Sequence, residues 1–355
     1  MKLRHFEALA PVCPSCRMGK LRLTREIRTE GGDVLEGMIE CGNLECRHLY
    51  PIVDGIPILL ADLRTFLQNQ TLGLLARGDL SEEMVSVLAE CYGAASPLDI
   101  NRQHLSTYGW THYGDLDAEE RTGPPAIVTI LRTGLDRLAE AGIGPGPVAI
   151  DLGCAVGRST FELAARTQEE DALVVGVDLN IAMLRVASAA LRTGRVSYPL
   201  RRVGLVYEER SARLQGDGAE RVDFWCADVL ALPFGSETFD LAASINLIDC
   251  VQSPHDHLTS LRDVIRPGGG ALVASPFDWS PSATGIEAWI GGHSPYDERR
   301  GRSENVLRSL IGGDHPAAVD GLEIIDEIDG LEWPVRLHDR SVMHYRVDLF
   351  VLGRK

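Results

Sequence analysis

Long apolar runs, basic charge and cysteine are all scarce in this chain, and each scarcity removes a class of function. No stretch of 18 consecutive apolar residues occurs among the 355, so a membrane-spanning helix is not expected. Lys and Arg number 35 against 51 Asp and Glu, a net charge of −16 that repels an extended nucleic-acid track and an anionic membrane surface. Eight cysteines in a chain this long are too few for a disulfide scaffold. The start, MKLRHFEALAPVC, reaches cysteine before the core of a signal peptide could form. These absences lead us to expect a soluble cytoplasmic protein acting on a small molecule, with no membrane and no nucleic-acid partner. What remains is ample apolar material, 45% of the residues, and a length that suggests two domains.

The cysteines fall into two unlike groups. Cys91, Cys154, Cys226 and Cys250 are scattered singly in apolar surroundings and read as small buried thiols. Cys13, Cys16, Cys41 and Cys46 lie within the first 50 residues. Cys13-Pro14-Ser15-Cys16 is a turn that aims two thiolates at one point, and 24 residues separate it from the second pair. LRLTREIR, Gly31-Gly32 and VLEGMIE read as two strands joined by a turn, which carries Cys41 and Cys46 back beside the first pair. Four sulfurs suit tetrahedral Zn2+, and a segment of this size has little core of its own, so the metal is expected to be structural. Cys41 and Cys46 enclose four residues rather than two, and His48 stands near enough to compete as the fourth ligand; metal-free thiols are the third alternative.

The segment after Cys46, with Tyr50-Pro51-Ile52 and Asp54-Gly55-Ile56-Pro57, completes a pattern that resembles the small zinc-ribbon family containing the activator subunit of tRNA and protein methyltransferases. That resemblance implies a supporting module at residues 1–62, and with it a possible protein partner or a homo-oligomer formed through the ribbon. Residues 1–63 hold 8 basic and 9 acidic groups, so almost all of the net negative charge lies beyond them and neither part is a basic RNA grip.

Residues 63–125 read as a helical connector, with apolar positions at Leu72, Leu75, Met84, Val85, Val87 and Leu88 broken by Gly78 and Gly93. Its end packs Tyr108, Trp110, His112 and Tyr113 together, residues that either wall a pocket for a planar or cationic ligand or dock the helix on the next domain.

From residue 126 onward the pattern is α/β. Val148 to Asp151 is an apolar strand, Gly153 to Gly157 a glycine turn, and Arg158-Ser159-Thr160 a helix start. Such a turn lets a ligand approach the backbone at the carboxyl end of a parallel strand. A second strand, Leu173 to Val177, ends in Asp178, 27 residues after Asp151, where a carboxylate can accept two hydrogen bonds from a ribose diol. A dinucleotide site wants G-x-G-x-x-G, whereas Ala155 stands at the middle position here. A third strand ends in Asp228-Val229, a fourth in Asn246-Leu247-Ile248-Asp249, and Arg266-Pro267-Gly268-Gly269-Gly270 turns into a fifth. The tail around GLEIIDEIDGLEW and SVMHYRVDLFVLGR reads as an antiparallel pair closing the sheet.

These ordered elements resemble the class I S-adenosyl-L-methionine (SAM)-dependent methyltransferases, which implies a seven-stranded doubly wound (Rossmann-like) sheet behind the small zinc ribbon. The resemblance narrows to the methyltransferase domain of ovothiol biosynthesis, which methylates a ring nitrogen of a thiohistidine. It rests on Tyr113-Gly114, Asp151 to Gly157, Asn246 to Asp249, Ser275-Pro276, Trp279 and Trp289 to Gly292. It differs from that family in lacking the iron-dependent portion and in carrying the zinc-ribbon front.

SAM is then expected on Asp151, Gly153, Cys154, Ala155, Gly157, Asp178, Leu179, Asp228, Val229 and Asn246. Asn246 and Asp249 are the candidates for positioning the acceptor and taking its proton, Asp249 alternatively being a helix cap. Tyr113 and His112 are expected over the sulfonium side, and Tyr108, Tyr113, Asp249, Trp279 and Trp289 at the substrate end, with docking and core packing the alternatives for the aromatic residues and His112. His255 and His257 read as members of a solvated first helical turn after Ser253-Pro254, and Glu298 to Arg302 as a solvated basic loop or a grip for a substrate carboxylate. A tRNA, rRNA or protein methyltransferase guided by the ribbon, and a non-enzymatic cofactor-binding scaffold, are the rival readings.

Overall fold

The structure, a computed structural model, describes all residues except 70–79, 118–122, 168, 170, 215–217, 294–295 and 297–300. Leu72, Leu75 and Gly78 of the expected connector lie outside the described residues, as do Glu298, Arg299 and Arg300 of the basic run.

A short helix α1 (Leu3–Leu9) precedes strands β1 (Leu21–Glu30), β2 (Asp33–Cys41), β3 (Leu49–Val53) and β4 (Ile56–Leu59). The β1–β2 turn uses Gly31 and Gly32 at φ 58° and 89°, a left-handed conformation that glycine adopts without strain. Helices α2 (Leu63–Asn69), α3 (Glu82–Tyr92), α4 (Pro97–Tyr113) and α5 (Ala126–Glu140) follow. Ser81 and Ser96 cap α3 and α4 by accepting from Met84 N and Asp99 N, and Pro97 opens α4. The alternating part comprises β5 (Val148–Leu152), α6 (Arg158–Arg166), β6 (Leu173–Asp178), α7 (Ile181–Thr193), the hairpin β7 (Arg195–Val203) and β8 (Val206–Arg213), β9 (Val222–Ala227), β10 (Phe239–Ile245), α8 (Pro254–Val264) and β11 (Ile265–Ser275). It ends with α9 (Ser303–Gly312), β12 (Leu322–His338) and β13 (Ser341–Arg354).

The main sheet has eleven strands in the order β1-β2-β3-β4-β9-β6-β5-β10-β11-β13-β12, where seven were expected. The seven from β9 to β12 form the doubly wound part, parallel except for β13, which runs antiparallel to both its neighbours β11 and β12. The other four come from the ribbon. β4 pairs parallel with β9 through Ile58↔Cys226 and Leu59↔Ala227, so the sheet runs on through residue 62. The physical reason is burial: every residue of β4 and β9 is buried, and a parallel strand buried on both faces needs a covered edge. Phe6 and Tyr50 share one core with Trp225 and Phe234, the Phe6 and Trp225 rings lying 6.1 Å apart.

Two further expectations are corrected. Cys154 and Cys226 are buried, but Cys91 and Cys250 are exposed. His257 does not sit on a solvated turn; it is fully buried, with Nε2 2.8 Å from the Ser244 hydroxyl, and burial pushes its pKa down to about 4. The expected cap at Ser253 is present, accepting from Asp256 N at 3.3 Å.

Candidate functional site

The chain runs outward from β5 to β6 and β9 on one side, then returns to β10 and β11 on the other, so the strand order reverses beside β5. Doubly wound sheets open a crevice at that point, outside the carboxyl ends of the strands. A cavity of about 890 Å³ lies there, within the range of small-molecule sites.

Its floor is the turn after β5. Gly153, Ala155 and Gly157 take φ of 74°, 48° and 90°, and a Cβ on Gly153 would stand 2.9 Å from a Leu247 methyl. Asp151 is buried beneath the turn, where Oδ2 accepts from the hydroxyls of Ser159 at 2.7 Å and Thr160 at 2.6 Å. Burial pushes its pKa up to about 6 against the pull of those donors. Asp178 closes the next strand. Its oxygens accept from Asn180 N at 2.7 Å and Ala155 N at 2.9 Å, which ties the turn to β6 and leaves lone pairs facing the cavity. Burial raises the Asp178 pKa, opposed by backbone N–H donors. Asp228, beyond β9, accepts from Leu230 N at 2.9 Å.

Across the cavity, Asn246 follows β10 at φ 53°, and its side-chain oxygen is buried without a partner. Asp249 is 3% exposed; Oδ2 accepts from Asp278 N at 3.0 Å, while Oδ1 has no partner. Burial pushes this carboxyl up to about 6. His112 of α4 lines the wall, and burial, with the Arg158 guanidinium adding to it, pushes its imidazole down to about 3, so it is neutral.

The cavity thus brings together Gly153, Ala155, Asp178, Leu179, Asp228, Val229, Asn246, Asp249, Tyr108 and His112. It does not include six other expected residues. Asp151, Cys154 and Gly157 support the turn from behind; a Cβ on Gly157 would lie 2.6 Å from the Phe224 ring. Tyr113, expected over the sulfonium side or docked against the next domain, is fully buried in a cluster with Tyr198, and its hydroxyl donates to Val156 O at 2.8 Å. Trp279 and Trp289, expected at the substrate end or in the core, do not line the cavity. Their rings stack at 5.9 Å, and their indole N–H groups donate to Ser303 Oγ and Thr284 O. Both aromatic groups spend their polar atoms on the fold.

Sequence reasoning missed the roof. β13 pairs with β11 only as far as Asp348↔Ser275, while β12 and β13 continue paired from Leu331↔Val347 to His338↔Ser341. The overhang carries Trp333, Val335, Leu337, Met343 and Tyr345 over the cavity. Its tip is held to the β7–β8 hairpin by Asp339, whose N donates to Arg202 O at 3.1 Å and whose carboxylate lies 3.3 Å from the Arg202 guanidinium. The signal was available: the two runs give strands of 17 and 14 residues, longer than the 11 of the neighbouring β11.

The second cluster lies in the ribbon. The sulfurs of Cys13, Cys16, Cys41 and Cys46 all lie within 4.8 Å of one another, with Cys13 to Cys46 at 3.8 Å and Cys16 to Cys41 at 3.7 Å. Zn–S bonds of about 2.3 Å in a tetrahedron set sulfurs about 3.8 Å apart, so the donor set fits zinc. His48 Nδ1 sits 3.1 Å from Cys46 Sγ, beside the four-sulfur group and not a member of it.

Residues 150–273 match the family model described as a methyltransferase domain. With the strand order above, this region is a class I SAM-dependent methyltransferase domain. The O-methyltransferase cnsE of Penicillium expansum is 28% identical over 144 residues, 39% of this chain and 43% of that protein, so the chain spans less than half the length of this curated relative. Among solved structures, a SAM-dependent methyltransferase from Methanosarcina mazei is 17% identical, covering 61% of this chain and 96% of that one at a TM-score of 0.39. Magnesium protoporphyrin IX methyltransferase from Synechocystis PCC 6803, solved with bound SAH, is 16% identical, covering 72% and 99% at a TM-score of 0.39. Among the described residues no helix is long and apolar enough to cross a membrane.

Proposed function

We propose that this chain is a SAM-dependent methyltransferase that methylates a nitrogen of a small molecule, with the imidazole of a histidine derivative as the acceptor of first choice. The observation that carries the reading is one cavity with Asp178 at one end and two unpartnered buried oxygens, Asn246 Oδ1 and Asp249 Oδ1, at the other.

When bound, SAM supplies a methyl group on a sulfonium and leaves as a neutral thioether holding the electron pair of the broken S–C bond. Asp178 takes the ribose diol, Asp228 the adenine amino group, and the Gly153–Ala155 backbone admits the adenosyl portion. The acceptor's unprotonated ring nitrogen forms the new N–CH3 bond with its own lone pair, and the proton on the other ring nitrogen passes to Asp249. Asp249 suits that task because a carboxyl near 6 is ionised at neutral pH yet holds a proton more readily than an exposed one. Asn246 and the roof hold the acceptor in line, which is most of what such a displacement needs. Transfer to oxygen is the second reading, favoured by the likeness to cnsE; there Asp249 removes a hydroxyl proton. The ribbon is proposed to hold structural Zn2+ on its four cysteines.

The test is incubation with labelled SAM and a panel of thiohistidine, histidine, histamine, histidine peptides and bulk tRNA. Label on an imidazole is expected, and label only on RNA would overturn the small-molecule reading.

A further inference from the structure

The acceptor end of the cavity has a definite charge character. Asp249 stands beside Asp278, whose backbone N–H it accepts, and both line the cavity. Tyr345 lines the cavity from the hairpin roof, and the Asp278 carboxylate adds to burial in pushing its hydroxyl up to about 12. Tyr108 of α4 and Trp333 of β12 add aromatic walls. The remaining titratable lining groups are Asp178, Asp228, Cys250, His104 and His112, and burial lowers the pKa of both histidines. Among the described residues no lysine or arginine lines the cavity. Asp249 Oδ1, on a residue 3% exposed, is left without a partner, as are Asn246 Oδ1 and His112 Nδ1.

Carboxylates backed by aromatic faces attract a cation and repel a carboxylate or phosphate. We infer, resting on the methyltransferase reading above, that the acceptor is a small amine with a positively charged arm and no free carboxylate or phosphate, an imidazole-alkylamine rather than an amino acid. Asp278, on the cavity wall it shares with Tyr108, Trp333 and Tyr345, takes the ammonium arm. The ring N–H is presented to Asp249, which leaves the other, unprotonated ring nitrogen to attack. No step beyond the methyl transfer already balanced is added. Charge on the arm sets which imidazole is accepted.

The experiment measures binding to the SAH-saturated full-length protein by calorimetry for histamine, histidine and imidazolepropionate, which share the ring and differ in arm charge. Histamine is expected to bind at least tenfold more tightly than histidine, and imidazolepropionate more weakly still. Asp278→Asn is expected to weaken histamine at least fivefold and leave SAH affinity unchanged, whereas Asp278→Glu restores it. Equal or tighter binding of histidine or imidazolepropionate, or binding of none of the three, overturns the inference while SAH binding leaves the cofactor reading standing. Loss of SAH binding by the unaltered protein overturns that reading instead.

Discussion

Asp178→Ala removes the carboxylate on which the cofactor reading leans most heavily. In the structure both oxygens are already anchored, one to Asn180 N at 2.7 Å and one to Ala155 N at 2.9 Å, so the group is held with its remaining lone pairs toward the cavity. A ribose diol would add two hydrogen bonds to a charged acceptor, worth about 1.5–3 kcal/mol each. The lower bound, about 3 kcal/mol for the pair, is roughly a 150-fold rise in Kd. Calorimetric titration with SAH measures this directly, with the thermal unfolding midpoint recorded for the same samples because the alanine also releases the turn from β6. Asp178→Asn keeps the shape and loses the charge, so an intermediate Kd is expected. A Kd within threefold of the unaltered protein for the alanine variant, with folding intact, would refute the argument.

Three further outcomes follow from particular contacts. The kcat/KM profile is expected to rise with pH through about 6, because Asp249 must be ionised to take the acceptor proton, and Asp249→Asn should abolish that limb; the groups facing Asp249 are Asp278, Ser275, Cys250, Tyr345 and Tyr108. For stability the sign is opposite: a carboxyl raised on folding favours the protonated folded chain, so its contribution is lost as pH rises from about 4 to about 6. Elemental analysis of protein purified without chelator should give one zinc per chain. Its removal should lower the unfolding midpoint and weaken SAH, because Val12 N donates to Pro233 O at 2.9 Å and the Arg17 guanidinium to the Leu232 and Phe234 carbonyls, on the loop that follows Asp228; SAH affinity unchanged in the metal-free protein would refute that linkage. Gly109→Ala should destabilise by about 1–3 kcal/mol, since its Cβ would stand 2.3 Å from the Tyr198 ring, and chemical denaturation reads the loss.

Local pattern made part of this molecule readable before its structure. Strands β5, β6, β9 and β10 are mostly apolar runs that each lead into a polar group at the carboxyl end, so Asp178, Asp228 and Asn246 were found from the ends of the runs. The four cysteines were found because ligand pairs are close in sequence. What escaped depends on contacts distant in the chain or on helix phase. Nothing in Ile56-Pro57-Ile58-Leu59 announces that it pairs with β9, and that pairing is what makes eleven strands of seven. On α4, His104, Tyr108 and Thr111 share the cavity face at helical spacing, whereas Gly109 and Tyr113, four apart, share the face packed on Tyr198. Grouping Tyr113 with its neighbour His112 ignored that rotation of about 100° per residue. The hairpin roof was read only as the closing pair of the sheet, because alternation identifies a strand but not how far it outruns its neighbour.

The account stands or falls on where an adenosyl ligand lodges. A crystal structure of the chain with SAH is predicted to show the ribose hydroxyls on Asp178, the adenine beside Asp228, and the thioether sulfur pointing toward Asn246 and Asp249. Density for SAH anywhere else, or a crevice that accepts a pyridine nucleotide and leaves SAH in solution, would contradict it.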